Sequence, residues 1–335
     1  MKSQGHQVEF SRNKKHYLFD KWWLDGRIWK VKFKVIGFIL LLIAIPLILS
    51  SFPRIEENIL NPLAQEIKVL KAEDRLSKIA SEEILTGEGE YAIAVKNLKT
   101  SESFFYNESK KFDSASLYKL WVMAVSFQKI KDGTLREDET LTLPKNYLDE
   151  TLSETTPTPT PEGTPTPTTI PPEEEKKISM RVDLAIEKMI TISDNYAALL
   201  LASRSGTPSV VSFLKQYELE SSNFRQPPQT TAKDTLIFFE KLHRGEVIDE
   251  DYSERMIDIL KEQTLNDRIP KHLPDNIEVA HKTGELSGLK HDAGIVFGKK
   301  GDYIIVVLTN TKNPIATAER IAKFSKKVFE YFEAI

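Results

Sequence analysis

The sequence predicts an α+β protein: an antiparallel sheet completed by both ends of the exterior chain, helices flanking it, and an all-helical insert between. One membrane-spanning helix precedes this unit. Three observations carry the prediction. An uncharged run occupies Val35–Phe52. A strand pair comes early and three strands come late, separated by helical patterns. An amphipathic helical pattern then closes the chain. Strands segregated from a block of helices point to α+β, whereas strict strand–helix alternation would point to a parallel sheet.

The first element is the apolar run. Its 18 residues, VIGFILLLIAIPLILSSF, would span about 27 Å as a helix, close to the thickness of a hydrocarbon core. Pro46 lies inside it, which membrane helices tolerate. Residues 1–34 hold nine Lys or Arg against three Asp or Glu, and Lys30, Lys32 and Lys34 stand at its near end. Basic flanks stay in the cytoplasm, so residues 1–34 are expected to form a cytoplasmic tail and the bulk of the chain to lie outside. The expected localisation is the plasma membrane, single-pass. A cleaved signal peptide is the competing reading. Its h-region would be shorter, and Leu49-Ser50-Ser51 is the nearest approach to a cleavage site. The lipid bilayer is thus an expected partner through residues 35–52.

Residues 53–70 read as a charged stalk leading into a helix over Lys71 to Leu85. Tyr91 to Leu98 and Ser103 to Tyr106 form a hairpin pattern across a polar turn. Ala115 to Lys131 is apolar and helical, with Asp113 or Ser114 as N-cap and Gly133 as the stop. Residues 155–172, TTPTPTPEGTPTPTTIPP, are too rich in proline for helix or sheet. Arg181 to Ser205 predicts two helices meeting near Ser193. Further helices are expected over Thr231–Leu242 and Tyr252–Gln263, strands over Ile277–Thr283, Asp292–Phe297 and Tyr303–Leu308, and a last helix over Ile315–Phe332.

Composition excludes several chemistries. The 335 residues carry 46 basic and 49 acidic side chains, a formal charge of −3, so no basic surplus invites nucleic acid. There is no cysteine, which removes disulfides, thiolate metal sites and cysteine nucleophiles. Six scattered histidines lack zinc-binding spacing, so no metal or cofactor is expected. His281 and His291 read as packing residues of strands.

Three short motifs follow one another: Ser116-Leu-Tyr-Lys119, Ser193-Asp194-Asn195 and Lys282-Thr283-Gly284. Ser-x-x-Lys alone is weak, since it starts at Ser11, Ser116, Ser126, Ser212 and Ser287. The other two motifs occur once each, and the order of the three is the signal. Ser116 would begin a helix after a strand pair, near the positive end of the helix dipole. Lys119, three residues on, would share its face. A lysine becomes a base only after losing its proton, which burial and a second cation, Lys282, would promote. Ser193 would relay a proton, and Asn195 would offer its amide to a substrate carbonyl. Gly284 would let a substrate backbone lie along the strand. The N–H groups of Ser116 and Glu285 would form an oxyanion hole.

These residues resemble the class A β-lactamase and penicillin-binding protein superfamily of serine hydrolases. Similar stretches are Met189-Ile-Thr-Ile-Ser-Asp-Asn, and His281-Lys-Thr-Gly-Glu-Leu followed by His291-Asp-Ala-Gly-Ile-Val. The resemblance implies a β-lactamase/transpeptidase-like fold over residues 71–335, an α/β/α sandwich beside an all-helical subdomain, with 155–172 as an insertion in one catalytic unit. It implies Ser116 as acylated nucleophile, Lys119 as base, Ser193 as relay, and Asn195, Lys282 and Thr283 as substrate contacts. The expected substrate is a β-lactam amide opened through a Ser116 acyl-enzyme. One alternative is a DD-peptidase-like enzyme acting on peptidoglycan stem peptides with slow deacylation; another is a catalytically silent wall-binding module. The sequence departs from the class A pattern ahead of Thr230-Thr231. No Glu-x-x-Leu-Asn motif stands there, and Glu218 and Glu220, the carboxylates in that stretch, read as surface charges.

Overall fold

The computed structural model describes residues 74–155 and 176–334. The anchor expected at 35–52, the stalk at 53–70 and nearly all of the Pro/Thr tract lie outside the described residues. Among the described residues no helix is long and apolar enough to cross a membrane.

A helix over 74–83 (α1) leads into β1 (Glu90–Asn97) and β2 (Ser103–Tyr106), which form the expected hairpin. The late strands are β7 (Val279–Leu286), β8 (Leu289–Val296) and β9 (Tyr303–Asn310). Together they make one antiparallel sheet in the order β2-β1-β9-β8-β7. The last strand therefore pairs with the first, Ile93 opposite Val307, which closes the sheet around the helical middle.

The sheet is buried on both faces, so its central strand reads as an unbroken apolar run. In β9, Ile304, Val306 and Leu308 enter one core, and Tyr303, Ile305 and Val307 enter the other. This is the two-residue period of a strand covered on both sides. The closing helix α9 (Pro314–Ala334) covers one face with Ile321, Phe324, Val328 and Phe332, and α1 joins it through Leu76 and Ala80, with Ile84 just after it. Their spacing of three and four residues gives one apolar stripe.

The other face meets the helical part. Its centre is α2 (Lys119–Lys131), in which every residue from Lys119 to Phe127 is buried. A helix apolar all round belongs inside a core. Around it lie α4 (Val182–Thr191), α5 (Asn195–Ser205), α6 (Thr207–Gln216), α7 (Ala232–His243) and α8 (Glu250–Lys261). Asp194, Thr231 and Asp249 cap α5, α7 and α8 by accepting from Ala197, Asp234 and Tyr252 N–H.

Two local expectations change, and one helix was not expected. The segment 115–118 is a 3₁₀ turn, and α2 begins only at Lys119. Ser114 sits in the right-handed helical region and makes no side-chain cap bond, while Asp113 ends the short strand β3 (Phe112–Asp113), which pairs with β6 (Gln229–Thr230). A second helix, α3 (Lys145–Thr155), occupies the stretch just before the Pro/Thr tract. Strands β4 (Thr140–Pro144) and β5 (Lys177–Arg181) pair antiparallel, with Pro144 opposite Lys177. The strands on either side of α3 and the tract are thus hydrogen-bonded neighbours.

One glycine explains the closeness of β7 and β8. A Cβ at Gly294 would lie 2.4 Å from Ala280 O and 2.5 Å from His281 Cβ. Both obstacles belong to the opposite strand, where Gly294 faces His281. We expect Gly294→Ala to destabilise the fold by about 2–3 kcal/mol, the cost of overpacking a tight core. That corresponds to a drop of roughly 5–10 °C in the thermal midpoint. A variant melting with the wild type would show that the two strands separate freely here.

Candidate active site

The 3₁₀ turn bearing Ser116 is held by backbone strain and close approach. Ala115 has φ of 46°, a left-handed value that is costly for a residue with a Cβ. Ser114 N–H donates to Pro228 O at 2.7 Å, and Leu117 N–H donates to Ser114 O at 3.0 Å. Behind the turn runs β7. A Cβ on Gly284 would come within 3.1 Å of Ser114 O and 3.2 Å of His291. Gly284 was expected to make room for substrate. Its missing side chain instead admits the turn, and the residue does not line the cleft.

His291 completes this support. Its Nε2 lies 2.9 Å from Asp113 O, so it carries the proton and donates, and Nδ1 accepts from Thr309 N–H at 3.0 Å. Burial holds it neutral, with a pKa lowered to about 4. His281 is also buried, bonded to Asp292 at 2.8 Å and Asn266 at 3.0 Å. Both histidines are buried, hydrogen-bonded residues of the sheet. Among the described residues no cluster of His, Asp or Glu could hold a metal.

The second motif forms the turn between α4 and α5. Ser193 takes φ of 57°, and Asp194 next to it caps α5. This reversal presents Ser193 O, Ser193 Oγ and Asn195 Oδ1 to one buried amine. Lys119 Nζ donates to them at 2.6, 3.2 and 2.8 Å. From the sheet side, Lys282 Nζ donates to Ser193 Oγ at 2.9 Å and Thr283 O at 3.1 Å. One hydroxyl therefore bridges two lysines that are both fully buried.

Two buried ammonium groups sharing a hydroxyl are unfavourable. Burial lowers the Lys119 pKa to about 7, against the opposing pull of Asp194. Burial also takes Lys282 well below its ordinary value; Lys119 pushes the same way and Asp292 opposes. A neutral Lys119 amine is accessible near neutral pH, and it can keep two N–H bonds to carbonyl oxygens while its lone pair accepts a proton.

These groups meet at a cleft of about 440 Å³. Ser116, Ser193, Asn195, Thr283 and Glu285 line it. Of the five Ser-x-x-Lys copies, the one at Ser116 lies here. Ser126 is buried on α2, donating to Val122 O; Ser212 and Ser287 are exposed elsewhere; Ser11 lies outside the described residues.

Two walls escaped the sequence reading. Helix α3 contributes Tyr147, Thr151 and Leu152, and it is pinned to α5 by Tyr196 OH donating to Asp149 at 2.7 Å. The opposite wall is the loop bearing Phe224, Gln226, Pro227 and Pro228. The tyrosine and leucine spacing of α3 was a readable signal, masked by the proline-rich stretch beside it. The loop is held from behind by Asp234, which accepts from Ser222 N–H at 2.7 Å and Ser222 Oγ at 2.8 Å. Glu218 is exposed and paired with Lys241 at 3.4 Å, and Glu220 is exposed. Neither lines the cleft. Among the described residues the acid lining the cleft is Glu285, whose Oε2 is held by Arg268 at 2.5 Å and Lys290 at 2.6 Å.

A covered antiparallel sheet, a helical domain against it, and a Ser/Lys and Ser/Asn/Lys set at their seam define a β-lactamase-like serine hydrolase. The chain belongs to the Beta-lactamase enzyme family, whose model matches residues 71–332. Among solved structures it resembles PBP-A at 21% identity and a TM-score of 0.66, over 78% of this chain and 97% of that one. It resembles the beta-lactamase from Sphaerobacter thermophilus at 18% identity and a TM-score of 0.64, over 78% and 97%. A beta-lactamase from Chitinophaga pinensis matches at 21% identity and a TM-score of 0.63, over 78% and 99%. These likenesses establish the fold. No curated protein matches the sequence.

Proposed function

We propose that the chain is a class A β-lactamase-type serine hydrolase that opens β-lactam amides through an ester at Ser116. The observation that carries this reading is the double hold on Ser193 Oγ by Lys119 and Lys282 at the cleft containing Ser116. Neutral Lys119 takes the Ser116 hydroxyl proton as Oγ bonds to the carbonyl carbon. The N–H groups of Ser116 and Glu285 bind the resulting oxyanion. The carbon–nitrogen bond then breaks, and the proton passes from Lys119 through Ser193 to the leaving nitrogen, with Lys282 steadying Ser193. Asn195 and Thr283 orient the substrate. Water finally cleaves the ester.

The acids among the described cleft residues favour a second reading for that last step. Water attack on an ester needs a base, and class A enzymes use an Ω-loop glutamate. Here the loop wall presents Gln226, and Glu285 is committed to two cations. A long-lived ester would mark a DD-peptidase-like enzyme of peptidoglycan. A variant of PBP-A has been solved as an acyl-enzyme complex with penicillin-G, which supports a β-lactam as the probe. Incubating the full chain in detergent with a penicillin and following intact mass decides the matter. An adduct that forms and decays supports the β-lactamase reading; one that persists supports the peptidase reading. No adduct points to a different substrate or to a catalytically silent wall-binding module.

The reading also includes a single-pass anchor at 35–52 with the catalytic domain outside the cell, and the Pro/Thr tract as an insertion within one unit. The β4–β5 pairing that flanks the tract supports the latter. Protease added to intact cells should degrade the chain after Arg54 and spare residues 1–34. Protection of the large domain would reverse the orientation.

A further inference from the structure

Glu285 stands where a ligand lying along β7 must pass. It follows Thr283 by two residues on a strand, so the two side chains share a face, and both line the cleft. Strand β7 is the edge of the sheet. Opposite Glu285 on β8 is Lys290, and the two form a cross-strand ion pair. Arg268 reaches the same carboxylate oxygen from the other side.

Exposure in this group is divided by sign. The Arg268 side chain is 1% exposed and that of Lys290 is 10% exposed, whereas Glu285 is 56% exposed and Asp267, the second carboxylate, 46%. The cations therefore lie beneath and the carboxylates face solvent. Partial burial raises the Glu285 carboxyl, but Lys290 and Arg268 outweigh it and hold the group below the usual carboxylate range. A ligand meets an anion at this end of the cleft, with both balancing charges screened behind it.

We infer that Glu285 is a specificity-determining residue that disfavours a carboxylate on the part of the ligand lying beyond Thr283, and selects a neutral amide or an ammonium group there. The natural leaving-group chemistry at this end is thus an amidated, internal or amine-bearing peptide rather than a free peptide terminus. This rests on the acylation reading given above. In a β-lactam the carboxylate sits one carbon from the leaving nitrogen. A ligand whose leaving nitrogen is served by Ser193, which Lys282 holds, and which continues along β7 past Thr283 brings that carboxylate toward Glu285.

The test uses the full chain in detergent and two probes, one penicillin as its free acid and as its carboxamide, with the second-order rate of Ser116 labelling read by intact mass. The measured quantity is the ratio of free-acid to carboxamide rates. Glu285→Gln should raise that ratio about tenfold, since it removes a like charge at close range and leaves Arg268 and Lys290 sharing Asp267 alone. In the wild type the ratio should rise as sodium chloride increases, because screening weakens the repulsion. A ratio unmoved by Glu285→Gln overturns the inference. If that variant does not fold, a wild-type ratio flat across salt overturns it as well. Labelling by neither probe removes the acylation reading and this inference with it, an outcome distinct from equal labelling by both.

Discussion

Ser116→Ala should abolish covalent labelling by a penicillin while leaving the protein folded. The side chain removed is one hydroxyl on the cleft lining, so its loss takes away the attacking atom without opening the core. Ser126→Ala and Ser212→Ala, which alter other Ser-x-x-Lys copies, should label like the wild type. Ser126 donates to Val122 O inside α2 and has no path to the cleft; Ser212 is exposed on α6. The measurement is intact mass after a fixed incubation, with peptide mapping of the adduct. An adduct retained in Ser116→Ala, or one mapped to another serine, would refute the nucleophile assignment.

The next largest effect is expected at Lys119. General-base terms are worth about 10²–10⁴-fold, and Lys119→Ala should slow acylation by that order. Its pH profile gives a sharper readout than the rate alone. The active form is the neutral amine, and burial lowers the group to about 7. The acylation rate of the wild type should therefore rise with pH through about 7 and level off above it; below that value the ammonium has no lone pair to accept the Ser116 proton. The inflection should vanish in Lys119→Ala. If it persists, the titrating base is Lys282, which is likewise depressed by burial. A variant that keeps both rate and inflection would show that neither lysine activates the nucleophile.

Each of these predictions depends on contacts between residues far apart in the chain. The hydrogen bonds from Lys119 to Ser193 and from Lys282 to Ser193 link segments 74 and 89 residues apart. Short motifs announce that such residues exist. They do not say which of five Ser-x-x-Lys copies will meet a Ser-Asp-Asn turn, although order along the chain pointed to the right one.

What the sequence determined by itself was local. The hairpin at β1 and β2, the three late strands, the buried α2 and the amphipathic α9 all follow from apolar spacing within a few residues. Asp194 at the start of α5 is legible in the same way, because a cap acts on the next turn. The three motifs, and the family they resemble, were equally readable. Tertiary structure decided the rest. It made 115–118 a 3₁₀ turn, because that turn is pinned between Pro228 O and β7 instead of by a capping side chain. It turned Gly284 toward Ser114 and His291, since strand packing rather than substrate fills the space beside it. It placed α3 and the Gln226 loop as cleft walls. It also set the exposed carboxylate of Glu285 over buried Arg268 and Lys290. The physical reason is common to all four: each is settled by desolvation and close contact between distant segments, and local periodicity carries no information about either.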